Sequence, residues 1–347
     1  MRMRRPFVWL GLLLLAIVVA IGFWRLGDNR EASQAEFLMG TYMEVKAIGR
    51  NAPLAIEKAF ARLKNTEERM TQNSMTSEVA GINQKAGIEP VTVSADTFYV
   101  IQKALHYAEL TEGRFDPTIQ PVVKLWQIGS PQARVPAPEE IAAKLQVVNY
   151  HAVELDAELN TVWLTQPGMG LDLGGIAKGY AADEVAAILR EHGVKKALIN
   201  LGGNLYALGN SPSGQPWRIG IQDPEDERSQ YIAVIEANDR TLVTSGAYER
   251  FLKVDDKLYH HILNPATGYP ATTDLLSVTI ITTNSIDADA LSTSVFILGL
   301  DDGLALVNRL PDIDAVLINK EHQVFATEGV RDRMTIVDPK YKLMPLK

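Results

Sequence analysis

The stretch Leu171-Asp-Leu-Gly-Gly-Ile-Ala-Lys-Gly-Tyr-Ala-Ala-Asp183 brings an acid, a lysine and a glycine pair together. These residue types suit a phosphate. Two glycines at a helix start let backbone approach a ligand closely, and the N–H groups of a first turn favour an anion. Asp172 enters the turn and Lys178 lies on the first helical turn, so acid, base and bare amides converge in a way that suits a phosphate handled with a metal. A tight strand–helix connection with solvated charges would carry the same residues, and the spacing of a Walker A loop is absent. Far downstream, Asp287-Ala-Asp-Ala-Leu-Ser-Thr-Ser-Val-Phe-Ile-Leu298 begins a helix in which Asp289 and Thr293 stand four apart. That spacing puts both side chains on one face, directed at one place. Two turn-rich segments, Arg114-Phe-Asp-Pro-Thr118 and His260-His-Ile-Leu-Asn-Pro-Ala-Thr-Gly268, add polar groups. Asp116 before proline is a common turn device and on its own reads as structural.

The elements that must position these residues follow from periodicity. Thr161-Val-Trp-Leu164 reads as a strand that feeds the glycine pair. The helix after it runs from about Gly175 to His192, with Ile176, Tyr180, Val185, Ile188 and Leu189 on its apolar or small face and Gly193 as its stop. Asn200-Leu-Gly-Gly203 repeats the device of a strand ending in a glycine pair, a local echo of Asp172-Leu-Gly-Gly175. Glu36 to Val45 reads as a strand interrupted at Met39-Gly-Thr41, where glycine suggests a bulge or a close backbone approach. Pro53 to Met70 is a helix with Leu54, Ile56, Ala59, Phe60 and Leu63 on its apolar face, and Ser94 caps a second helix through Leu110. Strands are expected at 217–222, 231–236, 240–244 and 276–282, with a hairpin around Asp255-Asp256. Gly129 to Pro138 is the nearest thing to an internal linker.

A composition of 46% hydrophobic and 22% charged residues can bury a sizeable core. About 310 residues beyond the N-terminal segment suit one large domain or two intimately joined lobes. A net charge of −8 argues against a nucleic-acid partner. The chain contains no cysteine, which excludes disulfides and a lipidated N-terminal cysteine. Arg2, Arg4 and Arg5 precede an almost unbroken apolar run from Phe7 to Trp24, closed by Arg25. Its length is at the short end of what spans a bilayer, and the positive flank keeps the N-terminus cytoplasmic. The run is long for a cleavable signal peptide and lacks a clear small-x-small site, so an uncleaved anchor is expected. Residues 1–30 would then tether a catalytic body, 31–347, on the periplasmic side of a bacterial inner membrane.

Met39-Gly-Thr41, Phe115-Asp-Pro-Thr118, the 171–183 stretch, Asn200-Leu-Gly-Gly203, His261-Ile-Leu-Asn-Pro265 and Asp287-Ala-Asp-Ala-Leu-Ser-Thr293 occur in that order. Together they resemble the ApbE family of FAD:protein FMN transferases, from about Phe37 to the C-terminus. The resemblance implies a mixed α+β fold, largely antiparallel, with FAD in a cleft between two lobes and its pyrophosphate beside a magnesium ion. It further implies that Met39, Arg114, Phe115, Asp116, Asp172, Lys178 and Leu263 contact FAD. The metal would be held by the Gly175 carbonyl and by side-chain oxygens of Asp289 and Thr293, a ligand chemistry that suits magnesium. Asn73 stands where many members carry an aromatic residue near the flavin. Acceptors in the family are typically subunits of membrane redox complexes with a short threonine-containing motif, partners with which a membrane tether is consistent.

The implied reaction moves FMN from FAD to a threonine hydroxyl and releases AMP. Phosphate charge must be neutralised, which a magnesium ion and helix-start amides can do, and a base near the hydroxyl helps further. His261 is the candidate base, against a purely structural role for its loop. His260 reads as a solvated or strand residue, and Tyr180 and Asp183 as packing or surface residues. Two other functions fit the same residues. Water in place of threonine gives a pyrophosphatase yielding FMN and AMP, and no chemistry at all gives an FAD carrier.

Overall fold

The computed structural model describes residues 30–225 and 230–346. The expected anchor therefore lies outside the described residues, save Arg30. Among the described residues no helix is long and apolar enough to cross a membrane.

A nine-stranded sheet organises the chain, and its spatial order follows the order of the chain. Its strands are Glu31–Leu38, Thr41–Ile48, Lys196–Leu201, Asn204–Leu208, Arg240–Gly246, Leu275–Thr282, Asp314–Asn319, Gln323–Ala326 and Lys342–Leu343. Neighbours are antiparallel except for the last pair, which is parallel. Everything else is inserted between these strands. Residues 49–195 form the longest insertion, holding helices Ala52–Met70 and Ala95–Leu110, a small sheet that includes Thr161–Leu164, and finally Ala177–Glu191, here the central helix. A second helix, Ser285–Leu298, follows the sixth strand and is here the buried helix.

Period-two alternation along the strands places different side chains on the two faces. Val243, Ile280 and Leu317 join the cluster that includes Leu291, Val295 and Phe296 of the buried helix. Their chain neighbours Leu242, Ile281 and Val316 pack instead against Ile219 and Ile235 of a small three-stranded sheet. Leu275–Thr282 is thus covered on both sides, which explains why seven of its eight residues are buried, Ser277, Thr279 and Thr282 among them. The buried helix is apolar or small on almost every side and is an internal element rather than an amphipathic one.

Several expectations are corrected by the fold. Met39 and Gly40 do not interrupt a strand. Both have positive φ, 49° and 74°, and Leu38 pairs with Thr41 across them, so they form a two-residue hairpin turn. The second glycine pair is a hairpin turn too: Gly202 and Gly203, φ 64° and 99°, reverse the chain between the third and fourth strands. The echo of the 174–175 pair, which opens a helix, is one of composition only. A Cβ at Gly202 would come 2.1 Å from Thr41 Oγ1, so the two turns pack on one another. Leu54 is exposed, and the buried face of its helix runs through Ala55, Ile56, Ala59, Phe60 and Leu63. The strands at 217–222 and 231–237 pair antiparallel as expected, but Arg240–Gly246 leaves them for the main sheet.

Candidate active site

The central and buried helices cross at Gly179, and each supplies a carboxylate to the other's first turn. Gly179 is the third residue of its helix, where an amide has no intrahelical acceptor. Its N–H donates to Asp289 Oδ2 at 2.8 Å. In return Asp183 accepts from the Ser285 N–H at 2.7 Å and the Ile286 N–H at 2.9 Å. The residue before the buried helix, Asn284, caps nothing with its own side chain. Such closeness requires glycine: a Cβ at 179 would fall 2.2 Å from the Ser285 carbonyl oxygen.

Asp289 is only 3% exposed, and its second oxygen faces the Lys178 ammonium at 3.3 Å. One turn on, Thr293 Oγ1 lies 3.5 Å from Ser245 Oγ. A Cβ at Gly175 would sit 3.6 Å from Thr293 Oγ1 and 3.1 Å from the Phe115 ring. Gly175, Thr293, Phe115, Lys178 and Asp289 are therefore gathered at one place, with Asp289 and Thr293 on one helical face as their four-residue spacing predicts. The bare amides expected at the helix start are fewer. Gly174 N–H donates to Asp172 Oδ1, and the Ile176 and Ala177 N–H groups donate to the Leu173 carbonyl.

Asp172 Oδ2 accepts from Gln72 at 2.7 Å, and the Asp172 amide donates to the Pro117 carbonyl. Burial pushes its carboxyl above the usual carboxylate range, against those hydrogen bonds and the charges of Arg250 and Lys178. His261 lies in the field of the same two cations. Its Nδ1 is 3.2 Å from the Arg250 carbonyl, which also accepts the His261 amide. That carbonyl fixes the proton on Nδ1 and leaves the Nε2 lone pair free. Burial first, then the Arg250 charge, pushes the imidazole down to about 3, so it is neutral at physiological pH but weakly basic, and negative charge brought beside it by a substrate phosphate would strengthen it as a base.

A match to the ApbE family model extends over residues 39–317. The chain belongs to the ApbE family. It is 40% identical over 319 residues to an FAD:protein FMN transferase of Klebsiella pneumoniae, covering 92% of this chain and 99% of that one. It is 38% identical over 331 residues to an FAD:protein FMN transferase of Treponema pallidum, covering 90% and 91%. Among solved structures it is similar to the ApbE protein of Thermotoga maritima, with a TM-score of 0.80, 32% identity and coverage of 86% and 98%. The flavin transferase ApbE of Vibrio cholerae superposes with a TM-score of 0.78 at 29% identity, covering 88% and 99%.

The remaining ApbE motif residues are distributed around this constellation. Asp116 is buried and its carboxylate is held by the protein: Oδ1 accepts from the Thr118 amide and hydroxyl, and Oδ2 from the Tyr150 amide. Leu263 is buried in a small cluster with Trp126. Arg114 and Asn73 are exposed, and Met39 donates its amide to Glu67 at 2.7 Å. Among the described residues no hydrogen bond ties Met39, Asn73 or Arg114 to the Asp172–Lys178–Asp289 group. His260 is the last residue of the strand Lys257–His260, one of its two expected placings, and is buried rather than solvated, with Nε2 on the Ala271 carbonyl.

Three residues with roles here carried no role in the sequence reading. Gln72 left no signal. Arg250 sat at the end of Ser245-Gly-Ala-Tyr-Glu-Arg250 as a lone base before a hairpin. Asp183 sat within the central motif itself, four residues after Gly179.

The donor set also limits what metal it can hold. Among the described residues no three His, Cys, Asp or Glu side chains stand together as a metal site. Asp289 is the one carboxylate of the implied ligand set, with Gly175 and Thr293. A single carboxylate with neutral oxygens fits a small hard cation that keeps waters and takes phosphate oxygens from a substrate, and magnesium is such a cation.

Proposed function

We propose that this ApbE member transfers FMN from FAD to a threonine hydroxyl of an acceptor protein, releasing AMP. The observation that carries the reading is the gathering of Gly175, Lys178, Asp289 and Thr293 at one helix crossing in a chain of the ApbE family. FAD would lie between the 49–195 insertion and the segments carrying His261 and the buried helix. Gly175, Asp289 and Thr293 would hold magnesium, which when bound neutralises phosphate charge in the transition state. Lys178 has a flexible stem and can exchange its Asp289 contact for a phosphate oxygen. His261 Nε2 takes the threonine proton as the hydroxyl oxygen bonds to the FMN phosphorus. The bond to the AMP oxygen breaks, and AMP leaves with that electron pair. Tethering of residues 31–347 by the apolar N-terminal run would concentrate the enzyme beside membrane acceptors in the periplasm.

Incubation with FAD, magnesium and a threonine-bearing acceptor tests the reading. A flavin-fluorescent acceptor band is expected. Free FMN with AMP would make the protein a hydrolase, and intact FAD would make it a carrier. His261→Gln removes the base while keeping a polar side chain, and transfer should fall by about 10²–10⁴-fold with FAD affinity held. Single-turnover rates and an FAD titration check this, and an unchanged rate would return the loop to a structural role.

Gly174 provides a second check. Its Cβ position meets only Asp172 Oδ1, at 3.0 Å, and the residue is exposed. Gly174→Val should therefore leave the body folded and weaken FAD by a large factor, because the added side chain occupies the approach to the turn. An unaltered FAD dissociation constant would mean that no phosphate approaches there.

A further inference from the structure

We propose that Asp183 is a positioning residue for the metal-binding face, holding Asp289 and Thr293 in place by capping the helix that carries them. The inference rests on the magnesium reading above and extends it to a residue that touches neither metal nor substrate. Its basis is the geometry of the crossing. Gly179 and Asp183 are one turn apart on the central helix, and Ser285 and Asp289 are one turn apart on the buried helix. Gly179 donates to Asp289, while Ser285 and Ile286 donate to Asp183. The two contacts are the ends of one clamp, closed over a glycine with no room for a methyl group. A shift of the buried helix that loosens one end loosens the other. Asp289 can present its other oxygen, the one that faces Lys178, accurately only while Ser285 and Ile286 stay docked.

The clamp is also sensitive to protons. Burial first, and then the Asp287 and Glu184 carboxylates, push Asp183 up to about 6, against the two amides that favour its charge. Lys103 faces it from the Ala95–Leu110 helix and is paired to Asp287 at 2.8 Å. Asp96, Tyr99, Tyr180 and Arg190 line the same cleft beside Asp183 and Glu184. A protonated carboxyl has one oxygen turned donor and accepts from the two amides less strongly, and the negative charge at the helix N-terminus is lost. Metal binding, which needs the docked arrangement, should accordingly favour the ionised form, and by linkage ionised Asp183 should favour metal.

The test is calorimetric titration of the FAD-loaded full chain with magnesium between pH 5 and 8, which does not depend on turnover. Wild type should bind about tenfold or more weakly at pH 5 than at pH 8, with a step near 6. Asp183→Asn keeps one acceptor oxygen and cannot ionise. It should bind about 10–100-fold more weakly than wild type at pH 8, the usual effect of losing a group that orients a metal ligand, and should lack the step. Asp289→Asn is run in parallel. If that variant binds magnesium as wild type does, the ligand assignment itself fails. If it loses magnesium while Asp183→Asn keeps both wild-type affinity and the step, the ligand assignment stands and the role of Asp183 is overturned. Should Asp183→Asn not fold, Asp183→Glu takes its place: it keeps the charge but displaces it from the Ser285 and Ile286 amides, so magnesium should bind more weakly, and wild-type affinity in that variant overturns the role of Asp183.

Discussion

Asp289→Asn should lower FMN transfer in limiting magnesium by about 10²–10³-fold, the equivalent of several kcal/mol of charge stabilisation in the transition state. The substitution preserves shape and retains one oxygen for the Gly179 amide, so packing at the helix crossing should survive. It removes the negative charge that faces both the Lys178 ammonium and the proposed metal. Turnover should suffer more than FAD binding, because a cation stabilises charge that grows only as the phosphorus–oxygen bond breaks. Thr293→Val should act in the same direction more mildly, since a neutral oxygen contributes less to a hard cation. Added magnesium should rescue the threonine variant partly and the asparagine variant less. Wild-type transfer by Asp289→Asn in limiting magnesium would show the ligand assignment to be wrong and make Asp287 the next carboxylate to test. That residue already pairs with Lys103, which gives it a structural occupation of its own.

What the chain disclosed in advance divides along a physical line. Features set by neighbours in sequence were legible. Gly193 stops the central helix just beyond its end, Ser94 caps its helix, Asp255 and Asp256 turn a hairpin, and Asp289 and Thr293 share a helical face. Each of these depends on a spacing of two to four residues, which propensity and periodicity report directly. Met39-Gly40 reads as a bulge and is a turn, whereas the strand that ends at Gly202-Gly203 is legible and the hairpin made by that pair is not. A glycine's freedom at positive φ serves a bulge, a turn or a close approach equally well, and only strand pairing decides among them.

Contacts between distant segments were the illegible part. Asp183 and Ser285 are far apart in the chain, and nothing local to Asp183 distinguishes a cap for another helix from a solvated surface acid. Gln72 and Asp172 pose the same problem, as do Arg250 and His261, where the useful atom is a backbone carbonyl that belongs to every residue type. The pairing of Asp289 with Lys178 was open to reasoning only through the ordered set of motifs, which placed both in one site before any distance was known.

The crossing itself supplies the largest expected effect on stability. Gly179→Ala would bring a Cβ to 2.2 Å from the Ser285 carbonyl oxygen and 2.7 Å from the Ile286 Cα. Both are backbone atoms, so no rotamer change relieves the clash and the two helices must separate. Alanine is favoured over glycine in a helix by about 1 kcal/mol, which offsets part of the cost. Overpacking typically costs about 1–3 kcal/mol, and a clash with backbone atoms belongs at or above the upper end, so a net loss of roughly 2 kcal/mol or more is expected. Gly81→Ala is the matched control. It too lies within a helix, its Cβ position is open, and its φ is not in the positive range. It should be neutral or stabilising by about 0.4–1 kcal/mol. Urea unfolding of the two variants beside wild type separates the effects of helix propensity from those of the crossing. Equal midpoints for the two variants would mean that the helices can part at no cost. In that case Asp289 would not depend on the Gly179 amide for its position, and the close approach at Gly179 would no longer explain how the two helices hold the site together.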